Sequence, residues 1–446
     1  MIIQNGPIVT WGDPNQILDN HGILIQDGVI REVAPAVELS KKYPDEEILD
    51  AHGQMIMPGN ICAHTHFYGA FSRGMAIPGE PSRNFSEILA NLWWKLDKAL
   101  DEEGVRYSAL TLLIDAIKYG TTTLIDHHAS PNFIDGSLDV VYEAVLKSGM
   151  RSSLCYEVTD RDGEERALAG IRENARFISR VEAGELDPMV KAQFGLHASL
   201  TVSDQTLDRC LEANQNRVGF HSHAAEGSVD QQDSLAKYGK PVVERFWDKG
   251  ILNERCILAH GIHLSEREID LLAQSGSWLT HQPRSNMNNA VGVAKVEKML
   301  NRGVNVCLGN DGFSNAMWQE WFFAYLIQKD QQADPRAMNG YDVMKIAVAN
   351  NSRLVTQIYD GLRVGVIEPG AAADIIFVDY HPITPMHAGN LPWHILFGFR
   401  DGMVTMTMAG GKVLMKDRRL LYLDEAEIAA RSREIAAQTW VRVQEM

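Results

Sequence analysis

The sequence predicts an α/β protein: a (β/α)8 TIM-like barrel with a small β-sandwich domain built from both chain ends. Three observations lead there. Over residues 57–361, short apolar or β-branched runs alternate with longer helical stretches, the pattern of parallel strands joined by crossover helices. These runs number eight over roughly 300 residues, which suits a closed barrel. The flanks, residues 1–56 and 362–446, are rich in short strands and tight turns. Neither flank has enough strands to bury a face alone, so the two are expected to pack together.

Composition narrows the function classes. A chain of 446 residues is too long for one ordinary core and fits a large barrel plus a smaller unit. Hydrophobic content of 45% and charged content of 22% are those of a soluble globular protein. The formal net charge of −16 argues against a nucleic-acid partner, which needs a basic face. Cys62, Cys155, Cys210, Cys256 and Cys307 are scattered, odd in number and free of any CxxC pair. They read as buried thiols in a reducing compartment. The opening "MIIQNGPIVTWGD" shows no signal peptide, and no run approaches a membrane span. A cytoplasmic enzyme with no membrane partner is expected.

Taken in order, residues 1–56 read as "PIVTWG", "GILIQDGVIREVA" and "EEILDAHGQMIMPG", with a hairpin signal at Asp27-Gly28. The eight barrel runs are Met55 to His64, Thr121 to His128, Met150 to Val158, Met189 to His197, Arg217 to His223, Arg255 to His260, Gly276 to His281 and Val304 to Asp311. Between them lie helical stretches such as "SEREIDLLAQSG", which opens on Ser265, carries Glu266 and Glu268 in its first turn and stops at Gly276. The β-rich character returns in "VGVIEPGAAADIIFVDY", and a second hairpin is signalled at Ala409-Gly410-Gly411-Lys412. Asp424 to Glu445 reads as a solvated amphipathic helix belonging to the composite sandwich.

The chemistry sits at the strand ends. In a barrel of this kind the C-terminal ends converge on one mouth. Histidine closes six of the eight runs outright: His64, His127-His128, His197, His223, His260 and His281. Asp311 closes the last, the remaining third run carries Tyr156-Glu157, and so many coincidences are hard to attribute to chance. His64 and His66, two apart, point to one side of an extended strand. His223 lies nearer the mouth than its neighbour His221, and Asp311 has Gly309 and Gly312 beside it for close backbone approach. Three imidazoles and one carboxylate suit a single divalent ion. A two-metal version would need a bridging group at the end of strand four, where His197 stands instead, with Lys191 at the strand's other end. A bound ion would bring the pKa of water from about 15.7 to about 7. Glu226, in the first turn after strand five, is the candidate proton shuttle. Asp311 is placed to accept the water's proton, and His260 to orient the hydroxide or leaving group.

These residues resemble the amidohydrolase superfamily in its cytosine deaminase-like branch, which holds triazine hydrolases and aminohydrolases. The resemblance covers nearly the whole chain. It rests on "PGNICAHTHFYGAFSRG", "HSHAAEG", "LAHGIHLSE", "THQPRSNMNNAVG", "LGNDGFSN" and "EPGAAADIIFVD", in that order. "LWWKLDKALDEE" and "IDHHASP" look closest to the aminohydrolases of the branch. The resemblance implies His64, His66, His223 and Asp311 as ligands to zinc, with iron as the alternative, Glu226 as proton shuttle and His260 as the residue that polarises the scissile carbon. It also implies Trp93, Trp94, His197, His281, Arg284, Ser285 and Asn286 around a small-molecule substrate, and a homo-oligomeric assembly. The expected reaction is hydrolytic deamination of an amidine-type carbon in a purine, pterin, pyrimidine, triazine or guanidine compound. The alternatives are displacement of a non-amine group, as in triazine chlorohydrolases, and amide hydrolysis. A metal-free binding relative would have lost ligands, and this sequence has lost none.

Overall fold

The computed structural model describes residues 1–446. Its barrel strands are Asn60–Thr65, Thr121–Asp126, Arg151–Leu154, Val190–Ala192 running on into Phe194–Ala198, Phe220–Ala224, Ile257–His260, Trp278–His281 and Asn305–Leu308. Every neighbouring pair is parallel. Strand four is interrupted at Gln193. Its first half pairs with strand three and its second with strand five. The ring closes where the amides of Asn310 and Asp311 donate to His64 O at 2.9 and 3.1 Å.

Strand one differs from expectation. The run Met55 to His64 divides into two strands. Met55–Pro58 pairs antiparallel with Ile375–Val378 in the terminal sheets, and only Asn60–Thr65 joins the barrel. Gly59 is the joint, since a Cβ there would lie 2.2 Å from the Thr122 side chain. Strand three is also shorter than its apolar run, with Tyr156 and Val158 held by single bridges to His128 and Leu196.

The chain ends form two sheets. One has four strands in the order Val29–Pro35, His21–Gln26, Ile2–Gln4, Ile48–Asp50. The other has seven and mixes both ends of the chain, with Met55–Pro58 between Ile375–Val378 and Ile8–Val9. Both signalled hairpins form, with Gln26 opposite Val29 and Ala409 opposite Lys412. Ile3, Ile8, Ile23, Ile375 and Met408 belong to an apolar cluster separate from the large barrel cluster. A buried ion pair ties the parts together. Arg151, at the base of strand three, donates to both Asp374 carboxylate oxygens at 2.7 and 3.1 Å, and Asp374 also accepts from Gly410 N at 2.6 Å.

The last helix, Glu425–Glu445, corrects a second expectation. It does not ride on the sandwich but packs on the barrel helix Glu102–Lys118 and on Trp94–Ala99. Ile428, Ile435, Thr439 and Val443 are buried along one face. Trp440 Nε1 donates to Phe71 O at 2.7 Å, and Arg442 Nε to Ala99 O at 2.7 Å. Its apolar stripe is narrow but runs the length of one face. No helix is long and apolar enough to cross a membrane.

The helix opened by Ser265 runs Glu266–Ser275, with a complete capping box to Glu268 and Gly276 in the left-handed region.

Candidate metal centre

At the C-terminal mouth of the barrel, side chains from strands one, five, six and eight face one point. Asp311 Oδ1 lies 3.0 Å from His64 Nε2, 3.1 Å from His66 Nε2 and 3.6 Å from His260 Nε2. His66 Nε2 and His223 Nε2 are 3.1 Å apart. The second ring nitrogens fix the tautomers. His66 Nδ1 is 2.6 Å from His127 O, His223 Nδ1 2.8 Å from His197 O, and His260 Nδ1 2.8 Å from Asn286 Oδ1. A carbonyl oxygen only accepts, so each of these rings carries its hydrogen on Nδ1 and turns a bare Nε2 inward when neutral. His64 Nδ1 contacts His221 Nε2 at 2.9 Å, so His221 stands behind the centre.

Bare lone pairs 3.1 Å apart, facing a carboxylate, repel unless positive charge sits among them. The surroundings of the rings make the same demand. Burial holds His64 down at about 3 and pushes His223 well below its usual range. Burial would depress His66 too, but Asp311 and Glu157 outweigh it and lift the ring to about 9. Asp311 is likewise held well below the carboxylate range, because His260, His64 and His66 outweigh its burial. Such donors fit a divalent cation: the ligand atoms of His64, His223, His260 and Asp311 gather within 4.8 Å of one another, and so do those of His66, His127, Glu157 and His223.

The backbone is shaped for this approach. His260 and Asp311 take left-handed φ values of 75° and 59°, a conformation that side-chain-bearing residues adopt at a cost. A Cβ at Gly309 would sit 2.7 Å from His64 O and 2.8 Å from His64 N, so only glycine lets strand eight close against strand one. Ser285 Oγ donates to Asp311 Oδ2 at 2.5 Å and fixes the second carboxylate oxygen.

Glu226 stands on one side of this point. It is 12% exposed, with Oε2 3.4 Å from His260 Nε2 and Oε1 accepting from Asn289 Nδ2 at 3.3 Å. Burial raises its carboxyl to about 7, against the pull of His260. A carboxyl near neutrality can both take and release a proton at physiological pH.

Beyond the centre opens a cavity of about 660 Å³ including its mouth. Trp93, Trp94 and His197 line it, together with His66, His223, Glu226 and Asp311. The tryptophans sit where the expected long helix breaks, at a π-helical turn Leu89–Trp93 leading into Trp94–Ala99. Four residues expected around the substrate do not reach this cavity. His281 is 1% exposed, and burial holds it down at about 3. Arg284 turns away to Glu320 Oε1 at 2.5 Å and Ser314 O at 2.6 Å. Ser285 serves Asp311, and Asn286 serves His260. The short helix Pro283–Asn288 aims these side chains back at the strand ends, so they support the centre from behind.

Other lining residues were given no role from sequence: Tyr68, Phe85, Asp97, Asn289 and above all Glu157, noted only as following the third run. Glu157 is 2% exposed and follows strand three. The strand-end rule that picks out the histidines picks it out equally. His127 and His128 lie behind the cavity, with His127 Nε2 3.0 Å from His221 O and His128 Nε2 2.9 Å from Ser130 Oγ.

A family model described as the amidohydrolase family matches residues 55–414. A 5'-deoxyadenosine deaminase of Methanosarcina mazei is 30% identical over 450 residues, covering 99% of each chain. A 5-methylthioadenosine/S-adenosylhomocysteine deaminase of Thermococcus sibiricus is 31% identical over 420 residues, covering 93% of this chain and 94% of that one. Among solved structures, an adenosine deaminase from Xanthomonas campestris with bound zinc superposes with a TM-score of 0.85 at 23% identity, over 99% of this chain and 98% of that one. Atrazine chlorohydrolase from Arthrobacter aurescens, complexed with zinc, gives 0.80 at 20%, over 98% and 99%. At these identities the two structures establish the shared fold.

Proposed function

The chain belongs to the amidohydrolase family, and from that premise we propose that it is a metal-dependent hydrolytic deaminase. It releases ammonia from an amidine-type C–NH2 carbon of a small N-heterocycle or guanidine-like compound. The observation that carries this reading is the meeting of bare imidazole nitrogens and the Asp311 carboxylate beside a carboxyl poised near neutrality, Glu226.

His64, His66, His223 and Asp311 would hold the ion, which we take to be zinc, as bound in the two superposed structures. When bound, such an ion makes water acidic enough to ionise near neutral pH. The bare Nε2 of His260 accepts a hydrogen bond from the attacking water and lines it up with the carbon. Glu226 takes the proton from that water and delivers it to the departing amine nitrogen, so that ammonia leaves neutral. Asn289 holds Glu226 in place through its amide. A departing amine needs the proton that Glu226 carries and a chloride does not, which supports deamination, although the water of either reaction needs a base.

The relatives named above make nucleosides of adenine the first compounds to try. The five unpaired, buried cysteines support a cytoplasmic setting. The two apolar clusters support a division into a catalytic barrel over 57–361 and a composite unit from 1–56 and 362–446, with the final helix docked across onto the barrel.

The test is metal analysis of the purified protein, activity before and after chelation, and ammonia release from a panel of adenine nucleosides, guanine, pterins, aminotriazines and guanidines. Stoichiometric metal and chelator-sensitive ammonia release are expected. Dechlorination of a halogenated triazine with no ammonia from any compound would overturn the assignment.

A further inference from the structure

The cavity is short of positive charge. No lysine or arginine lines it, while five carboxylates do: Asp97, Glu157, Glu226, Asp230 and Asp311. Four of these have work already. Asp311 and Glu226 belong to the centre. Asp230 accepts the backbone N–H of Leu200 at 2.9 Å and of Ala225 at 2.7 Å. Asp97 pairs with Arg161.

Glu157 is left over. Its Oε1 has no hydrogen-bond partner, and its Oε2 comes only to within 3.8 Å of His197 Nε2. Among the neutral rings nearby none supplies it, and only a protonated His127 would reach Oε1. His66 Nδ1, 3.4 Å away, directs its hydrogen to His127 O. His127 Nδ1, 3.1 Å away, is also unpartnered, because the hydrogen of a neutral His127 ring lies on Nε2 and goes to His221 O. A buried carboxylate without donors is costly, and such groups are completed by ligand, ion or water. The cavity that it lines also carries Tyr68, Phe85, Trp93 and Trp94, aromatic side chains against which a planar ring can stack.

We infer that Glu157 is the specificity-determining acceptor of this cavity, and that the substrate is a neutral or cationic planar amidine bearing a second N–H group for that carboxylate, not an anionic molecule. A carboxylate takes a paired N–H edge with both oxygens, which a carbonyl-bearing analogue does not offer. The inference rests on the reading that deamination occurs in this cavity, and it names the chemical class that reacts there. Phosphorylated nucleosides and compounds ending in a free carboxylate are excluded, because no lysine or arginine lines the cavity to meet them.

The experiment is calorimetric binding to the zinc-loaded protein in a Glu226→Gln background, where turnover is blocked. Two matched pairs are compared: 2,6-diaminopurine with adenine, and melamine with ammeline. The compound with the additional amino group should bind about tenfold more tightly in at least one pair, the worth of a hydrogen bond to a charged group. Adding Glu157→Gln should reduce that preference to under about threefold with the zinc content unchanged. Adenosine 5'-monophosphate should bind far more weakly than adenosine.

The inference is overturned if neither pair shows the preference, if the phosphate is tolerated, or if Glu157→Gln releases the metal. The pair comparison needs no Glu157 variant, so a misfolded variant leaves it decisive. Preferential binding of the diamino compounds without ammonia release by the wild-type protein would sink the deaminase reading alone. Ammonia release from compounds that show no such preference would sink this inference alone.

Discussion

Replacing Glu226 by glutamine isolates proton transfer from metal binding. The amide has the shape of the carboxyl, and its oxygen can still accept from Asn289 Nδ2, now 3.3 Å from Glu226 Oε1. It cannot carry a proton from water to nitrogen. General acid–base catalysis by a positioned group contributes about 10²- to 10⁴-fold, which corresponds to about 3 to 5 kcal/mol of barrier. Ammonia release by Glu226→Gln should therefore fall by that factor, with zinc content, measured on the same sample, unchanged. The pH profile gives a second readout. Glu226 must be ionised to accept a proton, and burial raises its carboxyl to about 7. So kcat/KM should fall as pH drops through that region, on a limb that bound cation pulls lower and that the variant lacks. The linkage sign is also fixed. A carboxyl raised from 4.5 to about 7 on folding lowers stability as pH rises through that window. The metal-free variant should therefore be more stable than the parent at pH values above the window and no more stable below it. A variant that keeps its zinc and loses less than about tenfold in rate would refute the role given to Glu226.

Further outcomes follow from other contacts. Asp311→Ala should abolish stoichiometric zinc binding, checked by metal analysis after gel filtration, because three inward nitrogens lose their shared carboxylate. Gly309→Ala should disrupt closure of the barrel and lower both zinc affinity and melting temperature, since its Cβ would lie 2.7 Å from His64 O. Arg151→Ala should destabilise the protein by about 3 to 5 kcal/mol by leaving Asp374 buried and unpaired, read as a shift in the denaturant midpoint. Replacing Arg151 and Asp374 together by apolar residues should recover much of that loss. Trp440→Ala should loosen the last helix and expose the segment around Phe71, seen as faster amide exchange there.

The strand-end histidines were legible in the sequence because a barrel brings all C-terminal strand ends to one rim. Position along the chain then stands in for position in space. The same rule covers Glu157, yet a single acid after a strand carries little signal beside a row of histidines. The short helix after strand seven was harder to read. Its motif residues are near the centre, but which way a helical side chain points depends on how the helix is docked. Arg284, Ser285 and Asn286 therefore face the supporting shell instead of the cavity. The break of the Trp93-Trp94 helix into a π-helical turn has no residue marker such as proline. The docking partner of the final helix was hidden for a related reason: an apolar stripe specifies that something is buried, not against what. Met55 to His64 reads as one apolar run because both its sheets are apolar, and only the glycine at 59 marks the crossing.

That crossing has a bearing on how the protein is made. Strand Met55–Pro58 lies beside Ile8–Val9 on one edge and Ile375–Val378 on the other, and the latter is translated roughly 300 residues later, or some 15 to 60 s at about 5–20 residues per second. Through that interval a ribosome-bound chain displays an open, greasy β-edge directly upstream of His64. Pairing along that edge is therefore complete only after residues 375–378 have been made.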